Sequence, residues 1–203
     1  MPEADSEGKV YHVDVPQKSE LFYLKGSNEL GWGMKNRLAR VFNPKDGRTI
    51  MLAIDHGYFQ GPTTGLERID VNIVPLLPYC DALMLTRGIL RTTIPSSFGG
   101  GVVMRATSGA SILKELSNEL AAVDFEDAIR MNVSAMAVQC FVGGEYETQS
   151  LKTLSDAVNL GNRYSVPVMA VTAVGREMAR TPRYFRLATR ICEYLGIEPG
   201  KTQ

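Results

Sequence analysis

The chain has 203 residues, enough for one domain with a sizeable core, and its 22 basic and 22 acidic side chains cancel to a formal net charge of zero. That balance gives no footing for a nucleic-acid partner, and the 44% hydrophobic content is that of a globular protein. The longest apolar runs, such as 166–174, are too short to cross a bilayer, and the polar, acidic start MPEADSEGKVYHVD lacks the apolar segment of a secretory signal, so a cytoplasmic protein with no membrane partner is expected.

Residues 1–20 read as a flexible lead-in and 21–203 as a single domain. Leu30, Met34, Leu38 and Val41 recur at helical spacing, with Asn28 as a candidate cap and Asn43-Pro44 as the stop. This helix is expected to close the bottom of a barrel. An alternation follows. Residues 49–54 (TIMLAI) form a short continuous apolar run, as in a strand buried on both faces. Residues 66–75 have helical spacing, 81–85 (DALML) read as strand, and 89–93 as a short helix. A third strand is expected at 101–106 (GVVMRA), then a helix over 111–121, where Ile112, Leu113, Leu116 and Leu120 would share a face and Ser111 with Glu115 lie near a cap. A helix opens at Asp124, a fourth strand covers 135–142 (AMAVQCFV), and a long helix runs over 145–160 to a C-cap at Gly161. A fifth strand covers 166–174, and a helix spans 182–195 with Pro182 near its start and Gly196 after its end.

Strands alternating with helices imply βαβ units and a parallel sheet. No GxGxxG follows the first strand and no P-loop is present, which leaves an α/β barrel, with a flavodoxin-like open sheet as runner-up. A (β/α)8 barrel typically needs about 250 residues. With five strands and a sixth candidate at the C-terminus, the chain reads either as a TIM barrel lacking about its last two strand–helix units or as a smaller open sheet.

In such a barrel the chemistry sits where strands end. The polar residues there are Asp55 and His56, Thr86 and Arg87, Arg105, Gln139, Thr172 and Lys201. Asp55 and His56 enter together from an apolar strand: the carboxylate can relay a proton and the imidazole titrates near neutrality, or else Asp55 caps a turn and His56 is structural. Arg105 can bind an anionic group of a substrate or form a buried ion pair. Lys201, if it lies on a sixth strand, has the character of an imine-forming lysine; by itself it reads as a solvated charge. The segment 143–147 (GGEYE) reads best as a tight turn into a helix, and Tyr58 and Phe59 either line a pocket mouth or pack a loop. Cys80, Cys140 and Cys192 are odd in number and widely spaced, and read as small buried hydrophobes in a reducing compartment. With only His12 and His56, a histidine metal site is not expected.

The stretches LGWGMKNRLARVFNP, AIDHGYFQGPTTGLERID, LMLTRGILR, SILKELSNE, GEYETQS, MAVT and RYFRLATRI resemble the archaeal-type class I fructose-bisphosphate aldolase family over residues 24–195, and within it the thiolase branch that degrades the phosphorylated autoinducer-2 signal. The resemblance implies a (β/α)8 barrel, often assembled into homo-oligomeric rings. It implies carbon–carbon cleavage through a lysine imine without a metal or bound cofactor, on a phosphorylated small molecule, with coenzyme A as acetyl-accepting co-substrate. By position it makes Lys201 the imine lysine and Asp55, with its neighbour His56, catalytic. Gln60, Arg105 and Phe141 are the expected substrate-binding positions. Phe141 stands where the family usually has a tyrosine that moves protons. The polar stretch 197–200 (IEPG) replaces an apolar family strand, and the chain stops two residues beyond Lys201. The alternatives are a sugar-phosphate aldolase of the same superfamily and an inactive remnant that associates with full-length subunits.

Overall fold

The apolar runs of the sequence become five parallel strands in the computed structural model, which describes residues 14–16, 24, 26–175 and 180–197. The lead-in expected at 1–20 lies almost wholly outside the described residues. The strands are β1 (Met51–Ala53), β2 (Ala82–Leu85), β3 (Gly101–Arg105), β6 (Ala135–Val142) and β7 (Val168–Val174), paired in chain order. Every pairing is parallel, with Met51 opposite Ala82, Ala82 opposite Gly101, Val103 opposite Ala135 and Met136 opposite Val168. A doubly wound sheet would reverse its order at a switch point. Strict chain order rules out the flavodoxin-like alternative and gives the curled sheet of a TIM-type barrel. Among the described residues, β1 and β7 are each paired on one side only.

Side-chain alternation divides the sheet between two faces. Met104, Met136, Val138, Cys140 and Val142 face the helices and pack with Phe125, Leu154, Val158 and Ala188. Ala82, Met84, Val103, Ala135 and Ala137 face inward and meet Val41 of α1 (Trp32–Val41). Small residues dominate this inner face, as a tightly curled sheet requires. Helix α1 lies against the start of β3, where a Cβ on Gly101 would overlap the Arg40 carbonyl. It therefore closes the N-terminal end of the strands, as the sequence suggests, although Gly31 and not Asn28 occupies its cap position. The Asn28 carbonyl instead accepts from Lys35 Nζ at 2.6 Å.

Three other expectations are corrected. The helix expected at 66–75 breaks into a single turn, α3 (Ile69–Asn72), and a 3₁₀ turn over Val74–Tyr79, because Pro75 and Pro78 deny it backbone donors. The helix expected over 111–121 is absent. In its place an antiparallel hairpin joins β4 (Thr107–Gly109) to β5 (Glu119–Ala121). Its presumed apolar stripe is not buried, Leu113 being 87% exposed, whereas Glu119 is buried. Gly109 approaches Asn118 so closely that any Cβ would overlap it. Tertiary pairing has overridden local helix propensity.

The long helix α6 (Glu147–Tyr164) runs past Gly161 and ends at Ser165, a left-handed residue with φ of 56°. Gly161 is needed for close packing and not for a cap: a Cβ there would lie 2.6 Å from the Val166 carbonyl oxygen. The remaining helices are α2 (Gly57–Gln60), α4 (Arg87–Thr92), α5 (Phe125–Arg130) and α7 (Pro182–Tyr194). Among the described residues, no helix is long and apolar enough to cross a membrane.

Candidate active site

The parallel strands all point their C-terminal ends to one side, and the inward-facing side chains change character there. Going up the inner face, Ala82 and Met84 of β2, Val103 of β3 and Ala137 of β6 are apolar. Two residues further on, the same alternation presents Arg105 and Gln139. Asp55 enters just past β1, where the Ile54 amide still donates to the Met84 carbonyl and fixes the direction of the chain. It is buried, at 5% exposure.

Arg105 is the centre of the site. Its Nη1 donates to Asp55 Oδ2 at 2.5 Å, and its Nη2 donates to Glu119 Oε1 at 2.7 Å and to the Tyr58 hydroxyl at 3.1 Å. A longer contact of 3.5 Å reaches Gln139 Oε1, and Nε donates to the Thr107 carbonyl at 3.1 Å. The guanidinium also lies 4.7 Å from the centre of the Tyr58 ring, which meets Phe59 edge-on at 5.0 Å. Burial opposes the charge of Arg105, but Glu119 and Asp55 outweigh burial and hold it above an ordinary arginine. Of the two roles weighed for Arg105, the observed contacts are those of a buried ion-pair network.

Two members of this network escaped the sequence reading. The helical spacing over 111–121 predicts Glu119 on a helix that does not form. The turn dipeptide Ser108-Gly109, directly after a strand, was the available signal for a reversal there. For Tyr58 the sequence is equally consistent with lining a pocket mouth and with packing a loop. In the structure its hydroxyl donates to Glu119 Oε1 at 2.5 Å. Thr107 completes the support: its hydroxyl accepts from the Gln139 amide at 3.1 Å and so ties the hairpin to β6.

The other expected site residues are more loosely placed. His56 is half-buried at the N-cap of α2 with no side-chain capping bond, and Gln60, at the end of α2, is exposed. Phe141 is half-buried near the end of β6, two residues beyond Gln139, with its amide donating to Ser150 Oγ at 2.8 Å. Lys201 lies outside the described residues. Segment 143–147 is a turn into α6, in which the Gly143 amide donates to Glu147 Oε2 at 2.9 Å. Cys140 and Cys192 are buried side by side, with Sγ atoms 3.6 Å apart, and Cys80 is half-buried.

The environment of Tyr58 has a measurable consequence. Burial and the hydrogen bond to Glu119 raise its phenol well above the ordinary value near 10. The folded state therefore favours the neutral phenol. That contribution is complete below the unfolded value and is lost as pH rises above it. The stability advantage of the wild type over Tyr58→Phe should accordingly shrink between about pH 9 and about pH 11. Urea denaturation of both proteins at the two pH values measures this; an advantage that stays constant would show that the phenol is not held in this way.

The chain matches no family model. It is 57% identical over 196 residues to a 3-hydroxy-5-phosphonooxypentane-2,4-dione thiolase of Photorhabdus laumondii, covering 97% of this chain and 67% of the relative. It is 55% identical to the protein of the same name in Salmonella typhimurium, with the same coverage of both chains, and 58% identical to an uncharacterised aldolase of Pasteurella multocida, covering 68% of it. The chain thus spans about two thirds of the length of these relatives. Among solved structures, a Schiff-base-forming fructose-1,6-bisphosphate aldolase superposes with a TM-score of 0.68 at 22% identity, over 80% of this chain and 68% of that one. A fructose-bisphosphate aldolase from Slackia heliotrinireducens gives 0.65 at 16% identity, over 81% and 58%. The solved structures bear on the fold, and the relatives on descent: the chain belongs to the 3-hydroxy-5-phosphonooxypentane-2,4-dione thiolase family.

Proposed function

We propose that this protein cleaves 3-hydroxy-5-phosphonooxypentane-2,4-dione and transfers the released acetyl group to coenzyme A, in the breakdown of the phosphorylated autoinducer-2 signal in the cytoplasm. What carries the reading is a buried carboxylate, Asp55, at the C-terminal end of β1 in a chain 57% identical to a thiolase of that name. In this reading Lys201 forms an imine with the substrate ketone next to the phosphorylated carbon. The coenzyme A thiolate adds to the methyl ketone, and the carbon–carbon bond breaks. Its electron pair passes into the imine as an enamine, and the proton that left the thiol returns to the carbon that lost the acetyl group. The water released when the imine formed then hydrolyses it, so that Lys201 is regenerated and acetyl-coenzyme A and a three-carbon hydroxyketone phosphate balance the atoms. Asp55 is the proton carrier, with no metal or resident cofactor in the scheme.

His56, Gln60 and Phe141 complete the substrate pocket in this proposal. Arg105 serves it indirectly, as the group on which Asp55 rests. Self-association into a homo-oligomer belongs to the same reading.

The test is intact-mass spectrometry after incubation with the phosphorylated dione and borohydride, followed by peptide mapping. A substrate-sized mass gain at Lys201 that disappears in Lys201→Ala is the expected result. Absence of the adduct on cooperatively folded protein would overturn the imine mechanism. Consumption of coenzyme A in step with substrate distinguishes thiolysis from a plain sugar-phosphate aldol cleavage, which needs none.

A further inference from the structure

We infer that Glu119, carried in by the β4–β5 hairpin, is a positioning residue that restrains Arg105 to a one-nitrogen hold on Asp55 and so keeps the second carboxylate oxygen of Asp55 available for proton transfer. This rests on the reading of Asp55 as the proton carrier.

One guanidinium serves two carboxylates, and all three groups are buried, with side chains 5–7% exposed. An ion pair placed only for stability would match one cation to one anion, because each buried carboxylate carries a desolvation cost. Here Glu119 Oε2 is buried without any hydrogen-bond partner among the described residues. An unsatisfied buried acceptor is destabilising, so its retention calls for an explanation beyond packing.

The geometry of the fork supplies one. An arginine facing a single carboxylate prefers the two-pronged arrangement, with two parallel N–H···O bonds. Arg105 does not adopt it. Nη1 goes to Asp55 Oδ2, while Nη2 is drawn away by Glu119 Oε1 and the Tyr58 hydroxyl. Tyr58 donates to the same Oε1, so that oxygen is fixed from two sides, and Nε is tied to the Thr107 carbonyl at the root of the hairpin. Each edge of the planar guanidinium is thereby assigned. Among the described residues, Asp55 Oδ1 accepts no hydrogen bond. Without Glu119, Nη2 would be free to close on Oδ1 and occupy both oxygens of the proposed proton carrier.

The hairpin interrupts an otherwise regular strand–helix alternation, and its β5 residue Glu119 reaches back to the ends of β1 and β3. The hairpin thereby brings this carboxylate to Arg105.

The test uses the full chain and two variants, Glu119→Ala and Glu119→Gln. Nitrogen NMR of the arginine side chains reads the hold directly: Arg105 should give resolved, slowly exchanging Nη signals in the wild type, and in Glu119→Ala the Nη2 signal should shift as that nitrogen leaves Glu119 for Asp55 Oδ1. Glu119→Gln keeps an acceptor oxygen for both Arg105 and Tyr58 and should retain most of the wild-type pattern. In acetyl transfer, Glu119→Ala is expected to lower kcat about 10- to 100-fold with KM nearly unchanged, and Glu119→Gln to restore most of it, as for loss of part of a general acid–base contribution. An unchanged Arg105 signal in Glu119→Ala overturns the inference whether or not the chain turns over. So does release of Arg105 with an unaltered kcat. Release of Arg105 in a chain whose wild type transfers no acetyl group leaves the restraint established and counts against the proposed reaction instead.

Discussion

Replacing Arg105 by alanine should destabilise the fold by about 3–5 kcal/mol, the range expected when one partner of a buried ion pair is removed and the other is left uncompensated. Two features place this substitution at the upper end. The loss strands two buried carboxylates, Asp55 and Glu119, that now approach the same guanidinium at 2.5 and 2.7 Å. It also removes the donor to the Thr107 carbonyl, which anchors the hairpin to the sheet. Urea denaturation at neutral pH, with the midpoint and slope fitted together, measures the effect. Arg105→Lys should recover little, because an ammonium cannot reproduce a fork directed at Asp55 on one side and at Glu119 and Tyr58 on the other. Adding Glu119→Gln to Arg105→Ala should recover part of the loss, since one of the two stranded carboxylates becomes neutral. A loss under about 1 kcal/mol for Arg105→Ala, the level of a solvent-exposed pair, would mean that the cluster does not hold the hairpin in place.

The sheet was legible in the sequence because its strands are buried on both faces. A run such as AMAVQCFV needs no alternation when helices cover one side and the barrel interior the other, and β6 occupies the residues expected, 135–142. Asp55 was legible for a related reason: a carboxylate breaking directly out of an apolar strand has a position defined by the fold itself. The role of Arg105 was only half legible. Its place at the end of β3 follows from the strand, but its partners depend on Glu119, which is 14 residues further along and reaches it only through the hairpin. That hairpin was hidden by local pattern. Ile112, Leu113, Leu116 and Leu120 fall at helical spacing, yet Ile112, Leu113 and Leu120 are all exposed, and spacing alone carries no information about which face a core will cover. Gly161 misled in the opposite direction: a glycine late in a helical pattern reads as a stop, whereas here its missing side chain lets α6 pass against the start of β7. Close approach between distant segments leaves the same residue type in the sequence as a cap does.

Asp55→Asn is the substitution that separates the chemistry of the site from its stability. Amide and carboxylate are nearly the same size, and the asparagine side-chain oxygen can still accept from Arg105 Nη1, so the architecture should persist. The guanidinium would then face a single carboxylate, Glu119, which removes the two-to-one mismatch of the native cluster. Stability should be unchanged or slightly higher, because neutralising one surplus buried carboxylate relieves desolvation without leaving the arginine unpaired. Turnover should move the other way. If Asp55 carries the proton in acetyl transfer, its loss is expected to lower kcat by about 10²- to 10⁴-fold. The paired measurement is the rate of coenzyme A acetylation beside a denaturation curve on the same preparation. Lost activity with retained stability assigns Asp55 to the reaction, whereas activity and stability falling together would mean that the carboxylate is chiefly a structural partner of Arg105. Full activity in the variant would move the proton carrier elsewhere. Among the described residues, Tyr58 could not readily take its place, since its phenol is raised and already committed to Glu119. His56, the neighbour of Asp55 at the head of α2, would then be the next side chain to replace.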